Sequence, residues 1–169
     1  MNKIIAHTGA HGTGKTVALH EEVRQTKIMF PELKVGFITD TVRSCPFPIN
    51  RNTSSESQAW VFCEIVKREM EACTKYDIVI SDRAVWDMIA YTVIGAKDYR
   101  LADWMTEYCL RVMPVKYKRL IFHPASTCDF CKEDGVRDTD PEFRKQIDLW
   151  LAKFYWEYGI EYAVYNAND

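Results

Sequence analysis

At 169 residues, with 47% hydrophobic and 27% charged side chains, the chain suits one domain with an ordinary core, which excludes large-scale disorder and a second full domain. Its formal net charge of −2 supplies no global basic field, so any contact with a polynucleotide must be local. No apolar run is long enough to span a bilayer, no signal-like segment opens the chain, and the six cysteines (45, 63, 73, 109, 128 and 131) read as reduced thiols, so a cytoplasmic protein away from membranes is expected.

Residues 3–8 form a short apolar strand that runs into a glycine-rich turn, and residues 14 to about 29 continue as a helix. Residues 33–39 read as a second strand. The following stretch, 40–53, carries two prolines and no helical period, the pattern of a functional loop at a strand's carboxyl end. Ser54 or Ser55 then caps a helix to about residue 73, with apolar Trp60, Val61, Ile65 and Val66 set among charges. Trp60 and Phe62 face different sides of that helix, so at least one is core, and Trp60 is read as core in preference to a platform for a stacked base.

Residues 76–81 give a third, nearly continuous apolar strand, 85–94 and 102–113 read as helices, and 119–123 as a fourth strand. Residues 124–140 are polar and rich in Asp, Cys and Gly. Pro141 opens a helix to about residue 158, Gly159 ends it, and 160–165 supply a fifth strand. This alternation predicts a single α/β domain over residues 1–169, three-layered, with a five-stranded parallel sheet covered by helices on both faces and a lid at about 124–140.

Gly9-Ala10-His11-Gly12-Thr13-Gly14-Lys15-Thr16 fits the phosphate-loop pattern G-x-x-x-x-G-K-[ST] in full, between a strand and a helix as that pattern requires. Glycines let the backbone curl with its N–H groups pointing inward, and the helix amino terminus favours an anion. Lys15 would reach the β- and γ-phosphates of ATP and the Thr16 hydroxyl would hold Mg²⁺.

A second polar cluster, Asp82-Arg83, follows the third strand directly, at the edge where ligands of open α/β sheets collect. Asp82 would hold Mg²⁺ through water or accept the proton of an attacking hydroxyl, and Arg83 would clamp a phosphate. The plainer alternative is a solvated ion pair that ends a strand. Asp87, one turn beyond Arg83, is placed to pair with it. Arg43 also points to the sheet's carboxyl edge, either to bind acceptor phosphate or hydroxyl groups or as a surface arginine on a loop.

With these motifs in order, together with Thr39-Asp-Thr-Val-Arg43, Gln58 in the next helix, Tyr91, and Gly135-Val-Arg137 before Pro141, the chain resembles the small P-loop kinases of nucleosides and nucleotides. The branch with nicotinamide-riboside kinase domains and thymidylate-kinase-like proteins is the most similar in pattern. The resemblance spans nearly the whole chain and implies an NMP-kinase-like P-loop fold that uses ATP and Mg²⁺. It further implies that Lys15, Asp82, Arg83 and Arg137 are catalytic, that Arg137 and Arg144 are lid arginines on ATP, and that Arg43, Gln58, Arg83 and Asp87 bind a nucleoside or nucleotide acceptor. The chain departs from many such proteins in having Asp40 and Thr41 where an acidic residue precedes the arginine by a fixed step.

A long polar segment between a strand and a proline-started helix supports the lid on physical grounds, because lids exclude water from phosphoryl transfer. Cys128 and Cys131 have metal-ligand spacing with His123 as the one evident third ligand, short of the four a structural zinc site needs, so zinc, a redox switch and plain thiols are all carried forward. His7 and His11 are expected to pack or hydrogen-bond locally. Two further functions remain alongside the small-molecule kinase: a kinase of a polynucleotide end or hydroxylated base in DNA, with Lys67, Arg68, Lys116, Lys118 and Arg119 as its basic groove, and a regulatory NTP-hydrolysing module. Assembly is open, a homodimer included.

Overall fold

The computed structural model describes residues 3–39, 41–49, 53–112, 117–126 and 140–166. Strands β1 (Ile4–Thr8), β2 (Val35–Ile38), β3 (Ile78–Ser81), β4 (Tyr117–Phe122) and β5 (Ala163–Val164) form one parallel sheet in the order β2-β3-β1-β4-β5. β1 is central, with Ile5 opposite Ile80 on one side and Arg119 on the other. Each strand runs toward the same edge, so the loops after β1, β2, β3 and β4 collect there.

Period-2 alternation assigns each strand residue to one of two cores. Ile4, Ala6, Val79, Leu120 and Phe122 face a large core, while Ile5, Ile78, Ile80 and Ile121 face a smaller one. Helix α1 (Lys15–Met29) covers the smaller side through Leu19 and Val23. Helices α2 (Ser55–Lys75), α3 (Val85–Tyr91), α4 (Tyr99–Glu107) and α5 (Pro141–Glu157) supply the larger core with Phe62, Ile65, Ile89, Met105 and Leu151 among others. Phe62 is the fully buried aromatic of α2, and Trp60 packs partly buried against the same core.

The sequence boundaries shift in four places. The helix expected at 85–94 ends as α at Tyr91 and continues as one π-helical turn, Thr92–Ala96, closed by Lys97 in the left-handed region (φ 55°). The helix expected from 102 starts three residues earlier, because the Asp98 side chain accepts from the Leu101 N–H at 3.0 Å and caps α4; it finishes in a second π turn, Tyr108–Val112. Residues 42–44 of the proline-bearing loop form a 3₁₀ turn. The fifth strand contracts to two residues, both exposed, at the edge of the sheet.

A buried brace ties the large core to the base of α3. The Tyr117 hydroxyl accepts the Val85 N–H at 2.6 Å and donates to Glu69 Oε1 at 2.8 Å. Burial pushes the Glu69 carboxyl up to about 8, so Glu69 is a neutral acid in this setting.

Candidate active site

The phosphate loop turns sharply out of β1 through three glycines with positive φ, Gly9 (122°), Gly12 (72°) and Gly14 (80°). Gly9 is confined twice over: a Cβ there would lie 2.6 Å from the His123 carbonyl oxygen at the end of β4. Behind the loop, His7 Nδ1 and His123 Nε2 share a proton at 2.8 Å, His7 Nε2 lies 3.1 Å from Glu22, and Tyr165 stacks on His123 at 4.1 Å. His7 therefore bonds far along the chain and not locally, and His123, the third ligand considered for Cys128 and Cys131, has one ring nitrogen engaged with His7. Both cysteines lie outside the described residues.

Several carboxylates and phenols hold the loop from outside. Asp87, fully buried on α3, accepts from the Thr8 hydroxyl and from the Gly9 N–H at 3.4 Å, and meets Arg83 at 3.5 Å. Burial raises its carboxyl, with Arg83 and Lys15 opposing. Tyr155 bonds the same Thr8 hydroxyl at 2.6 Å. Asp148 accepts the Ala10 N–H at 3.0 Å with one oxygen and the Ala125 N–H at 2.5 Å with the other, joining the phosphate loop to the exit of β4. The Tyr91 hydroxyl meets both the His11 N–H (2.9 Å) and its ring Nδ1 (2.8 Å), while Arg83 sits 5.4 Å over the Tyr91 ring.

Lys15 is the buried cation of the site. Its ammonium donates to the Gly9 carbonyl at 3.0 Å, to the Ala10 carbonyl, and to the Thr13 hydroxyl at 3.2 Å. Burial, reinforced by Arg83, pushes it down to about 7 against the pull of Asp87, Asp82 and Asp148. One residue on, the Thr16 hydroxyl donates to Asp82 Oδ2 at 3.3 Å, so the two residues named from separate motifs meet in space.

These groups border a cavity of about 280 Å³. Residues 11–17 form its floor, Asp82 and Arg83 stand beside them, and Thr41, Val42 and Arg43 close one side. Thr53, Gln58 and Val61 of the α2 start form another wall, completed by Met88, Tyr91 and Phe143. The structure thus brings together Lys15, Thr16, Arg43, Gln58, Asp82 and Arg83. It places Asp87 beneath the loop, where Thr8, Gly9 and Arg83 occupy it, and not on the cavity wall. Arg144 is 4% exposed on α5 and acts on Asp148 one turn later, so it is not a solvated surface group. Arg137 and Asp40 lie outside the described residues.

Sequence reasoning passed over Asp148 and Tyr155, and it read Arg68 only as part of a basic groove. Arg68 bonds Glu64 (2.8 Å), the Thr39 carbonyl and the Ser44 hydroxyl (both 3.2 Å), which fixes from α2 the turn that carries Arg43. A helix position four residues from Glu64 was the one available signal, and it pointed only to a surface ion pair. Arg68, Lys67 and Arg119, read earlier as parts of a basic groove, each pair with a glutamate; Lys116 is not described.

Magnesium is tested by the donor set: a hydroxyl and a carboxylate, hard oxygen ligands side by side next to a phosphate loop, fit it. Among the described residues no three His, Cys, Asp or Glu side chains group as a metal site, and no helix is long and apolar enough to cross a membrane.

The AAA domain family matches residues 4–169. No curated protein matches in sequence. Among solved structures, deoxyadenosine kinase from M. mycoides with bound dATP superposes with a TM-score of 0.70 at 15% identity, covering 99% of this chain and 92% of that one. Thymidylate kinase from Ehrlichia chaffeensis gives 0.65 at 16%, with 96% and 86% covered. The NadR protein in complex with NR gives 0.71 at 16% and 99% of this chain, but only 47% of that longer one. At these identities the likeness is one of fold: a parallel five-stranded P-loop sheet with flanking helices, of the NMP-kinase kind.

Proposed function

This chain belongs to the AAA domain family, and from that premise we propose that it is a kinase that transfers the γ-phosphoryl group of Mg·ATP to a nucleoside, a nucleoside monophosphate or a related small acceptor. The observation that carries the reading is the contact between Thr16 and Asp82 at 3.3 Å beside Lys15, opening on one cavity. A regulatory nucleotide switch needs the phosphate loop; it has no use for a walled chamber lined by Arg43, Gln58 and Arg83 next to it. The three solved neighbours named above, two of them a deoxyadenosine kinase and a thymidylate kinase, support the same direction.

Phosphoryl transfer asks little covalent work of the protein beyond positioning and charge neutralisation. The loop's amides and the start of α1 would receive the phosphates, with Lys15 on the transferring group. Thr16 and Asp82 would hold magnesium, which when bound supplies charge neutralisation at the phosphate oxygens. Arg83, stacked on Tyr91 and held by Asp87, is fixed in place to receive acceptor or phosphoryl charge. Asp82 would alternatively take the proton of an attacking hydroxyl acceptor. Arg43 and Gln58, on the cavity wall, would meet the acceptor, and Arg137 would add charge at the transferring phosphoryl. The protein acts on small molecules in the cytoplasm by this reading.

The test is γ-phosphate transfer from labelled ATP across nucleosides, nucleoside monophosphates and oligonucleotides, with Lys15→Ala as control. Acceptor-dependent transfer to a small molecule that Lys15→Ala abolishes supports the proposal. Transfer to oligonucleotides alone establishes the polynucleotide kinase instead, and ATP hydrolysis indifferent to every acceptor establishes the regulatory module.

A further inference from the structure

Arg83, Asp87 and Tyr91 follow one another at four-residue spacing as the chain enters and runs along α3, so they share one stripe of that helix. Both later residues reach Arg83, Asp87 at 3.5 Å and Tyr91 with the guanidinium 5.4 Å over its ring. Each also holds one amide of the phosphate loop: Asp87 accepts the Gly9 N–H at 3.4 Å and Tyr91 accepts the His11 N–H at 2.9 Å. Asp148 of α5 takes the amide between them, that of Ala10, at 3.0 Å. The three amides that open the loop are thus occupied by side chains from outside it, and those that would receive phosphates start at Gly12.

Tyr91 differs from the two carboxylates in what its oxygen can do. A phenol oxygen has one hydrogen to give as well as lone pairs to accept with. One lone pair takes the His11 N–H, and among the described residues the acceptor that meets the hydroxyl hydrogen is Nδ1 of the same histidine, at 2.8 Å. The His11 ring is therefore set as the tautomer with its own hydrogen on Nε2. One oxygen clasps both the backbone and the side chain of a single loop residue, which fixes its peptide plane and its ring together. Phe143 of α5 stands 6.1 Å from the Tyr91 ring and 6.2 Å from the His11 ring and packs against both. Ionisation would remove the hydrogen that Nδ1 accepts, and burial opposes it by pushing the Tyr91 phenol up from its ordinary value.

The face of the same ring serves Arg83. A π-face attracts a guanidinium without consuming its N–H donors, so Arg83 is held in place while its donors stay suited to phosphoryl or acceptor oxygens. Asp87 neutralises the cation from one side, and the ring limits where the planar group can swing. Oxygen and ring belong to one flat, rigid side chain, so the position of the loop and the position of Arg83 are set by the same group.

We propose that Tyr91 is a positioning residue that joins the two halves of the site: its oxygen sets the phosphate loop through His11, its ring sets Arg83, and the phenol between them fixes their separation. The inference rests on the small-molecule kinase reading above and adds to it how the charges on the donor and acceptor sides are kept in register. Phosphoryl transfer depends on that register, because small displacements of positioned groups cost large factors in rate.

The test separates the two faces of the residue. Tyr91→Phe keeps the ring and removes the oxygen, whereas Tyr91→Leu removes both. Calorimetry with Mg·ATP, KM for ATP and kcat for phosphoryl transfer are measured on each. Tyr91→Phe should weaken Mg·ATP binding and raise KM for ATP by about five- to tenfold, the worth of one hydrogen bond, with a smaller fall in kcat. Tyr91→Leu should lower kcat by about a further tenfold as the hold on Arg83 is lost, with little additional loss of Mg·ATP affinity. Packing alone would move KM and kcat together in both variants or leave the affinity of Tyr91→Phe unchanged, and either outcome overturns the proposal. The nitrogen resonances of the His11 ring, assigned with His11→Gln, give a readout without turnover. They should show the hydrogen on Nε2, and Tyr91→Phe should move the Nδ1 signal; a hydrogen on Nδ1, or signals indifferent to the substitution, overturns the proposal as well. Absence of transfer to any acceptor by the unsubstituted chain overturns the kinase reading instead, and the Mg·ATP affinities and His11 signals then still decide whether Tyr91 sets the loop.

Discussion

Replacing Glu69 by Gln offers the sharpest check on the energetics of this fold. Glu69 keeps its proton in the folded chain up to about pH 8, while the unfolded chain releases it near the ordinary carboxyl value of 4.5. A carboxyl whose folded value is raised contributes its full stability below the unfolded value and loses it as the pH climbs through the folded one. The window here is therefore pH 4.5 to 8, with falling stability across it and a plateau above. At 1.36 kcal/mol per unit, the loss comes to about 2 to 3 kcal/mol between pH 5 and 7, a sizeable share of the 5–15 kcal/mol typical of a domain. Glu69→Gln keeps the Oε1 that accepts from Tyr117 and cannot ionise. Urea unfolding of both proteins from pH 5 to 9 should show the difference growing in favour of the substituted chain up to pH 8 and then levelling. A flat difference would mean that water reaches Glu69 and that the brace under α3 is not dry.

Three further outcomes test the site. Asp82→Asn should leave ATP affinity largely intact and lower phosphoryl transfer by about 10²-fold or more, as removal of a catalytic acid–base group does; a loss that tracks stability alone would return Asp82 to a structural role. Asp148→Asn keeps an acceptor for only one of the Ala10 and Ala125 amides, so KM for ATP should rise several-fold in a chain that still melts cooperatively, and an unchanged KM would separate Asp148 from the loop. Gly9→Ala forces a side chain into φ 122° and against the His123 carbonyl, and a cost of about 1 to 3 kcal/mol in thermal unfolding is expected from such strain; a neutral result would show that β4 yields.

The phosphate loop was legible because its chemistry is local: eight consecutive residues carry the curl, the cation and the hydroxyl, and the strand before them is a short, mostly apolar run buried throughout. The meeting of Asp82 with Thr16 was legible through topology, since β1 and β3 are neighbours and both loops leave the same edge. What stayed hidden lies in pairs far apart along the chain. His7 and His123 are separated by 116 positions, and Asp148 reaches Ala10 across 138; neither has any spacing that marks it. Asp87 was legible as a partner of Arg83, but its grip on Thr8 and Gly9 was not, and that grip removes it from the cavity wall. The start of α4 was missed for a local reason, a cap supplied by Asp98 after a left-handed Lys97, where the preceding π turn disrupts helical periodicity.

Lys15 clasps the carbonyls of its own loop, and this shapes how any nucleotide engages. Capture is a swap, not a simple addition, because the ammonium must leave Gly9 and Ala10 before it can meet a terminal phosphate. A small anion that offers one weak contact gives too little in return, whereas a chain of three phosphates spanning the curl gives enough. On the proposed kinase reading, the glycine-rich turn would thus respond to a triphosphate and not to free phosphate or other minor anions.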